Sequence, residues 1–160
     1  MPRSGLGTQL RHLLELLDGA VQATYVDAGL DYRPRYTPVM RALLQEQPRS
    51  VSQIAHAAGI TQPAATQTVA LMVQDGLVTM GPAASDARVR LVRLTRKGRL
   101  LVPTLEACWS ATQQAAQSLD DEMATRLSDV LEEAIRRLEA HPFSARIAET
   151  RRPALAGARR

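Results

Sequence analysis

Apolar positions in the first thirty residues recur in steps of three and four: Leu10, Leu13, Leu14, Leu17, Val21 and Tyr25. That spacing predicts an amphipathic helix over residues 8–28. Gly29 is placed to end it in the left-handed conformation, with Leu30 folding back behind it. A polar, proline-bearing connector, DYRPRY, comes next. Thr37 and Pro38 suit the N-cap and first position of a second helix. Its stripe is Val39, Met40, Leu43 and Leu44, and Pro48 closes it.

The stretch SVSQIAHAAGITQPAATQTVALMVQDGL then changes rhythm. Ser50 and Gln53 have capping-box spacing at the head of a short helix with Ile54, Ala55 and Ala58 inward. Gly59 ends it, Ile60 folds under it, and Thr61 caps a new helix with Pro63 in its first turn. Ala65, Val69 and Met72 mark the inner face of this helix, and Gly76 stops it. Two helices joined by about three residues, with Gly in the turn, are the mark of a helix-turn-helix. LVTM and RVRLVRLT, separated by the small residues GPAASDA, read as two strands of a hairpin, the wing of a winged helix. Thr95 caps a long helix to about Ser118, kinked at Pro103. Ser118 caps a last helix whose stripe is Leu119, Met123, Leu127, Val130, Leu131, Ala134 and Leu138, and Pro142 breaks it.

The expected fold is therefore mainly α, with a small β-hairpin wing and long terminal helices. It reads as one domain over 1–160: a winged helix-turn-helix at 36–98, long helices at 8–30 and 99–140, and a basic, aperiodic, flexible tail at 142–160. The long helices carry more apolar surface than the small middle region can cover, so they call for a partner, most simply a second copy of the chain.

Composition narrows the class. Apolar residues make up 45% of the 160 residues and aromatics only 3%, which favours helices with an aliphatic core. No apolar run nears the roughly 20 residues of a membrane span, and the N-terminus lacks a signal-peptide core. The single cysteine, Cys108, excludes an internal disulfide. These features point to a cytosolic protein with no membrane partner. Catalysis has no support: there is no Gly-rich phosphate loop, nucleophile elbow or catalytic carboxylate pair. His12, His56 and His141 are too scattered for a metal site, and no cofactor is implied.

Charge is more informative by place than by total. The net +4 equals the five Arg and one Glu of residues 142–160, so residues 1–141 are neutral. Within that neutral body residues 82–103 carry +5 and residues 119–140 carry −4. One segment can attract a polyanion while the body stays neutral; an ordinary solvated face is the alternative.

In the order of its elements the chain resembles the MarR family of bacterial transcription regulators, over roughly residues 8–140. The most specific stretches are GITQPAATQTVALMVQDGLV at 59–78 and SDARVRLVRLTRKG at 85–98. The second has the family's wing pattern, D-x-R followed by L-V-x-L-T-x-x-G. The resemblance implies a homodimer on a pseudo-palindromic double-stranded operator, with a recognition helix in each major groove and a wing at each adjacent minor groove. It also implies repression relieved by a small phenolic or aromatic ligand or by cysteine oxidation, and dimerisation through the first and last helices. The chain departs from the family in one respect: residues 61–74 contain no Arg or Lys, and Gln67, Ala70 and Leu71 stand where basic residues are common.

Candidate contacts follow. Ser50, Thr61, Gln62, Ala64, Thr66 and Gln67 would face DNA. Gln can pair with adenine, and Thr can reach a base or a phosphate. Free N–H groups at the helix start also suit a phosphate. In the wing Arg88 suits a narrow minor groove and Arg90 a phosphate. Asp86, alone among cations, either pairs with Arg88 and fixes its rotamer or closes the turn on the backbone. A ligand would meet His12, Tyr25, Tyr36, Arg41 and Trp109, unless these only pack the core or a dimer. Cys108 has no basic neighbour in sequence and reads as a packed structural thiol rather than a redox sensor. The rival to a DNA-binding regulator is a winged-helix module used for protein assembly, which the uncharged recognition helix favours.

Overall fold

The computed structural model describes residues 5–157; residues 1–4 and 158–160, the ends of the expected domain and of its basic tail, lie outside the described residues. The chain divides into two compact units, one ending at Ser110 and the other beginning at Ala111. No linker composition marks that boundary because it falls inside a continuous helix.

In the first unit α1 spans Leu6–Asp27. It ends as predicted: Gly29 has φ 72°, and Leu30 N–H returns to the Tyr25 carbonyl at 2.8 Å, which buries Leu30. A 3-10 turn, Pro34–Tyr36, leads into α2, Thr37–Gln45. Thr37 is therefore not the N-cap: that position is Tyr36, and the Thr37 hydroxyl instead meets the Tyr25 hydroxyl at 3.2 Å. Val39, Met40 and Leu43 are buried as expected, whereas Leu44 lies on the exposed side.

The winged helix-turn-helix forms with its caps where they were read. The Ser50 hydroxyl accepts from Gln53 N–H at 3.2 Å, and the Gln53 side chain accepts from Ser50 N–H at 2.8 Å, which starts α3, Val51–Ala58. Gly59 at φ 64° ends α3. The Thr61 hydroxyl accepts from Ala64 N–H at 3.3 Å and starts α4, Gln62–Gln74. Ala65, Val69 and Met72 are buried, and Gly76 closes the helix at φ 71°.

The sheet has one strand more than the sequence pattern suggests. β1, Arg49–Ser50, pairs antiparallel with β3, Arg90–Leu94, which pairs antiparallel with β2, Val78–Pro82. Ser50 faces Leu91, so the residue that caps α3 also holds the base of the wing. Both hairpin strands are shifted from the expected limits, and Arg88 and Val89 lie in the loop rather than the strand.

α5 spans Arg96–Glu122, through Pro103 and past the boundary between the units. Ser118 lies inside it and caps nothing. The residue that turns the chain is Asp120, whose carboxylate accepts from Leu127 N–H at 2.8 Å, Ser128 N–H at 3.3 Å and the Ser128 hydroxyl at 2.5 Å. This starts α6, Leu127–Ala140, which has no buried residue among those described. Met123 and Leu119 belong to the turn and to α5, not to α6. Where an aperiodic tail was expected, α7 spans Phe143–Gly157. Arg146 ties its start to α6 by donating to the carbonyls of His141 at 3.1 Å and Arg137 at 3.3 Å.

The Ser128 hydroxyl, the two N–H groups and Arg126 hold the Asp120 carboxyl below its ordinary 3.8, against the opposing effect of burial. A depressed pKa contributes stability that is complete above 3.8 and is lost as pH falls through the lower folded value. Asp120→Ala should therefore lower the thermal midpoint of the second unit at pH 7, and the gap to the parent chain should shrink when melting is repeated near pH 2. A gap of equal size at both values would rule out the charged cap.

Candidate nucleic-acid interface

The first turns of α4 offer a polar face without a cation. Thr61, Gln62, Thr66 and Gln67 are exposed and Ala64 is half-buried. Their chemistry is narrower than residue type implies. Thr66, an exposed residue, donates its hydroxyl proton to the Gln62 carbonyl at 2.9 Å, which leaves it an acceptor lone pair and a methyl but no free donor. A phosphate needs donors, so Thr66 suits a base edge. The Thr61 and Ser50 hydroxyls spend only their acceptor side on the caps, so both keep a proton to donate. Of the N–H groups expected free at the start of α4, Ala64 is capped by Thr61, Ala65 bonds the Thr61 carbonyl and Pro63 has none. Gln62 N–H alone remains.

Positive charge comes from the wing. Arg88, Arg90 and Arg93 are exposed. Asp86 takes the turn-closing role: its Oδ1 accepts from Arg88 N–H at 2.9 Å and its carbonyl from Val89 N–H at 3.1 Å. Among the described residues no ion pair joins Asp86 to the Arg88 guanidinium, so Asp86 shapes the wing tip through the backbone and does not brace the Arg88 side chain. Arg90 leans on its own hairpin, donating to the Met80 carbonyl at 3.5 Å.

The inner end of α4 is fixed by groups that sequence reading did not bring to it. Tyr36, fully buried, donates to Asp75 Oδ2 at 2.6 Å. Arg33 Nε lies 3.9 Å from the same oxygen, and Lys97 Nζ donates to the Asp75 carbonyl at 2.7 Å. Burial, the hydrogen bond to Asp75 and the charge of Asp75 push the Tyr36 phenol up to about 12, so it stays a neutral donor. The Thr95 hydroxyl donates to the Gly76 carbonyl at 2.6 Å and accepts from Gly98 N–H at 3.0 Å. No local pattern announces the Tyr36–Asp75 bond, which spans 39 residues. The cap at Thr95 was read from the sequence, and its partner is Gly98 N–H.

The ligand candidates separate. Trp109 Nε1 donates to the Tyr25 hydroxyl at 3.1 Å, and the Arg41 guanidinium lies 4.8 Å over the Trp109 ring. Tyr36 lies two rings away, edge-on to Tyr32 at 5.5 Å, which is edge-on to Tyr25 at 5.1 Å. His12 belongs to none of this: it is exposed, 3.8 Å from Glu15, and three and a half helical turns before Tyr25, about 20 Å. Cys108 is buried in the same core. Among the described residues no cluster of His, Cys, Asp or Glu could hold a metal, and no helix is long and apolar enough to cross a membrane.

Residues 29–89 match the MarR family model, from the end of α1 to the wing. Solved structures with the same fold include MosR of M. tuberculosis in complex with DNA, at 20% identity and TM-score 0.68, covering 88% of this chain and all of that one. BpsR of Bordetella bronchiseptica, whose DNA binding is regulated by 6-hydroxynicotinic acid, matches at 19% and 0.64 over 87% of this chain and 96% of its own. CouR of Rhodococcus jostii RHA1, bound to p-coumaroyl-CoA, matches at 21% and 0.56, over 87% and 94%. The match to the MarR family of transcription regulators thus covers residues 29–89, a little over a third of the chain, and the chain shares the winged helix-turn-helix fold of these solved regulators.

Proposed function

We propose that the chain is a cytoplasmic, homodimeric repressor that binds a pseudo-palindromic operator and is released by a small aromatic or phenolic ligand. The observation that carries this reading is the pairing, within one compact unit, of an exposed neutral reading face on α4 with an exposed cationic wing. Gln62 and Gln67 read base edges, Ala64 and the Thr66 methyl pack on thymine methyls, and Ser50 and Thr61 donate to phosphates. Arg88 enters the minor groove, Arg90 neutralises a phosphate, and Asp86 shapes the loop that carries them. The division of labour accounts for the missing cations on α4: the wing supplies attraction and the helix supplies selection.

Two further features support the finer points. Leu10, Leu14 and Leu17 on α1 are exposed, as are Val130, Leu131, Ile135 and Leu138 on α6, which suits burial against a second copy. The Tyr32 hydroxyl is buried beside Tyr25 with the Thr37 side chain as a weak polar partner, and an aromatic acid held by Arg41 would offer it a stronger acceptor.

Binding of the purified chain to the DNA upstream of its own gene should be sequence-selective and should weaken steeply with salt, with log K against log[salt] falling by about 0.9 per neutralised phosphate. Sedimentation should return twice 17.5 kDa, and aromatic acids should release the DNA. No shift with any promoter fragment at low salt would sink the regulator reading and leave a protein-assembly module.

A further inference from the structure

The far end of a recognition helix decides where its reading end points. α4 has 13 residues and is about 20 Å long. A tilt of about 5° about its C-terminal end moves its first turn by roughly 1.7 Å, enough to break a hydrogen bond made in a window of a few tenths of an ångström. With no cation on α4 to hold it against phosphate, aim matters more here than attraction.

Asp75 is the C-cap of α4, and its carboxylate is gripped from outside the helix-turn-helix. Tyr36 donates to it at 2.6 Å, and Arg33, 3.9 Å from that carboxylate, lies 5.8 Å over the Tyr36 ring. The Tyr36 ring is itself the end of a file. Edge-to-face contacts run from Tyr36 to Tyr32 to Tyr25 at interplanar angles of 90° and 84°, and the Tyr25 hydroxyl takes the Trp109 indole N–H and meets Thr37. All three rings are buried. Close-packed rings hold discrete arrangements rather than deforming smoothly, so a displacement at Trp109 or Tyr25 has no soft layer in which to dissipate before Asp75.

Resting on the repressor reading, we infer that Tyr36 is the positioning residue for the recognition helix: its hydroxyl sets the angle of α4 through Asp75, and the tyrosine file behind it makes that angle depend on the Tyr25–Trp109 pair. An effector that moves Trp109 or Tyr25 thereby changes DNA reading without touching α4. Tyr36 contacts no DNA in this scheme. Its ring is needed for the core and its hydroxyl for the aim.

Tyr36→Phe separates the two, because it keeps the ring in the file and removes only the bond to Asp75. Three readouts on the full-length chain decide the matter. Affinity for its specific site should fall about tenfold, the loss expected when a hydrogen bond to a charged group disappears. Affinity for random duplex and the salt slope should stay unchanged. Amide exchange in the last turn of α4 should quicken while exchange in α3 does not. Adding Asp75→Ala to Tyr36→Phe should cost little more than either alone. An unchanged ratio of specific to random binding in Tyr36→Phe overturns the inference, whether neither affinity moves or both fall equally, the latter marking a merely structural role. If the parent chain itself shows no sequence preference, the repressor reading fails. The exchange comparison then stands alone, and unchanged exchange in α4 refutes the anchoring by Tyr36.

Discussion

Gly98→Ala should destabilise the winged unit by about 3 kcal/mol, at the upper end for an overpacked core, which lowers the melting midpoint of the 160-residue chain by roughly 6–12 °C if it unfolds as one. A Cβ at Gly98 would lie 2.2 Å from the Leu77 carbonyl oxygen and 3.2 Å from its carbon, with Leu94 Cδ2 at 3.4 Å. The first two obstacles are backbone, and no rotamer relieves them. Leu77 cannot retreat cheaply, because its carbonyl accepts Thr95 N–H at 3.0 Å and its own N–H holds the Met72 carbonyl at 2.9 Å. The residue before it is fixed too, Gly76 by the Thr95 hydroxyl, and the Leu77 side chain is itself fully buried. The start of α5 would have to lift from Leu77, which pulls Lys97 from Asp75 and opens the end of the recognition helix. DNA binding should fall with stability, unlike the Tyr36→Phe case. A thermal melt of Gly98→Ala within 1 °C of the parent chain would show that the close approach is not kept in solution.

That close approach explains the L-T-x-x-G spacing read from the chain. Leu94 fills the core, Thr95 caps α5 and clasps Gly76, and residue 98 must have no side chain where the helix passes the Leu77 carbonyl. Features of this kind are legible because cause and consequence lie within four residues. The same holds for the capping box at Ser50, the Thr61 cap and the left-handed glycines 29, 59 and 76. Legibility fails where a distant residue competes. Thr37 has the sequence of a cap, but a 3-10 turn begins earlier and the Tyr25 hydroxyl takes the Thr37 side chain. Ser118 and Asp120 are both good caps by type, and the chain turns at the one whose two oxygens can take three donors. β1 has two residues, too short for any alternation to show. In the candidate interface, the exposed residues of α4 and the wing were readable from pattern, whereas the Tyr36–Asp75 bond, made across 39 residues, left no trace in either local sequence.

Arg88→Ala should weaken operator binding by on the order of 1–3 kcal/mol while leaving the fold intact, since the Arg88 side chain is exposed and makes no ion pair among the described residues. The neighbouring acid makes the test sharper. Were the Asp86 carboxylate a brace for the guanidinium, Asp86→Asn and Asp86→Ala would both set Arg88 loose and weaken binding alike. The bond found is instead Oδ1 to Arg88 N–H at 2.9 Å, and Asn keeps that acceptor while removing a negative charge that faces phosphate. Asp86→Asn should therefore bind DNA as tightly as the parent chain or more tightly, with a salt slope no smaller. Asp86→Ala should lose affinity, because the loop from Ala83 to Val89 loses its inner hydrogen bond and Arg88 its fixed starting point. Equal losses in the two Asp86 variants would restore the side-chain brace. A loss in neither would mean that the Ala83–Val89 and Val89–Asp86 backbone bonds shape the wing by themselves, and that the acid is there for the backbone in no functional sense.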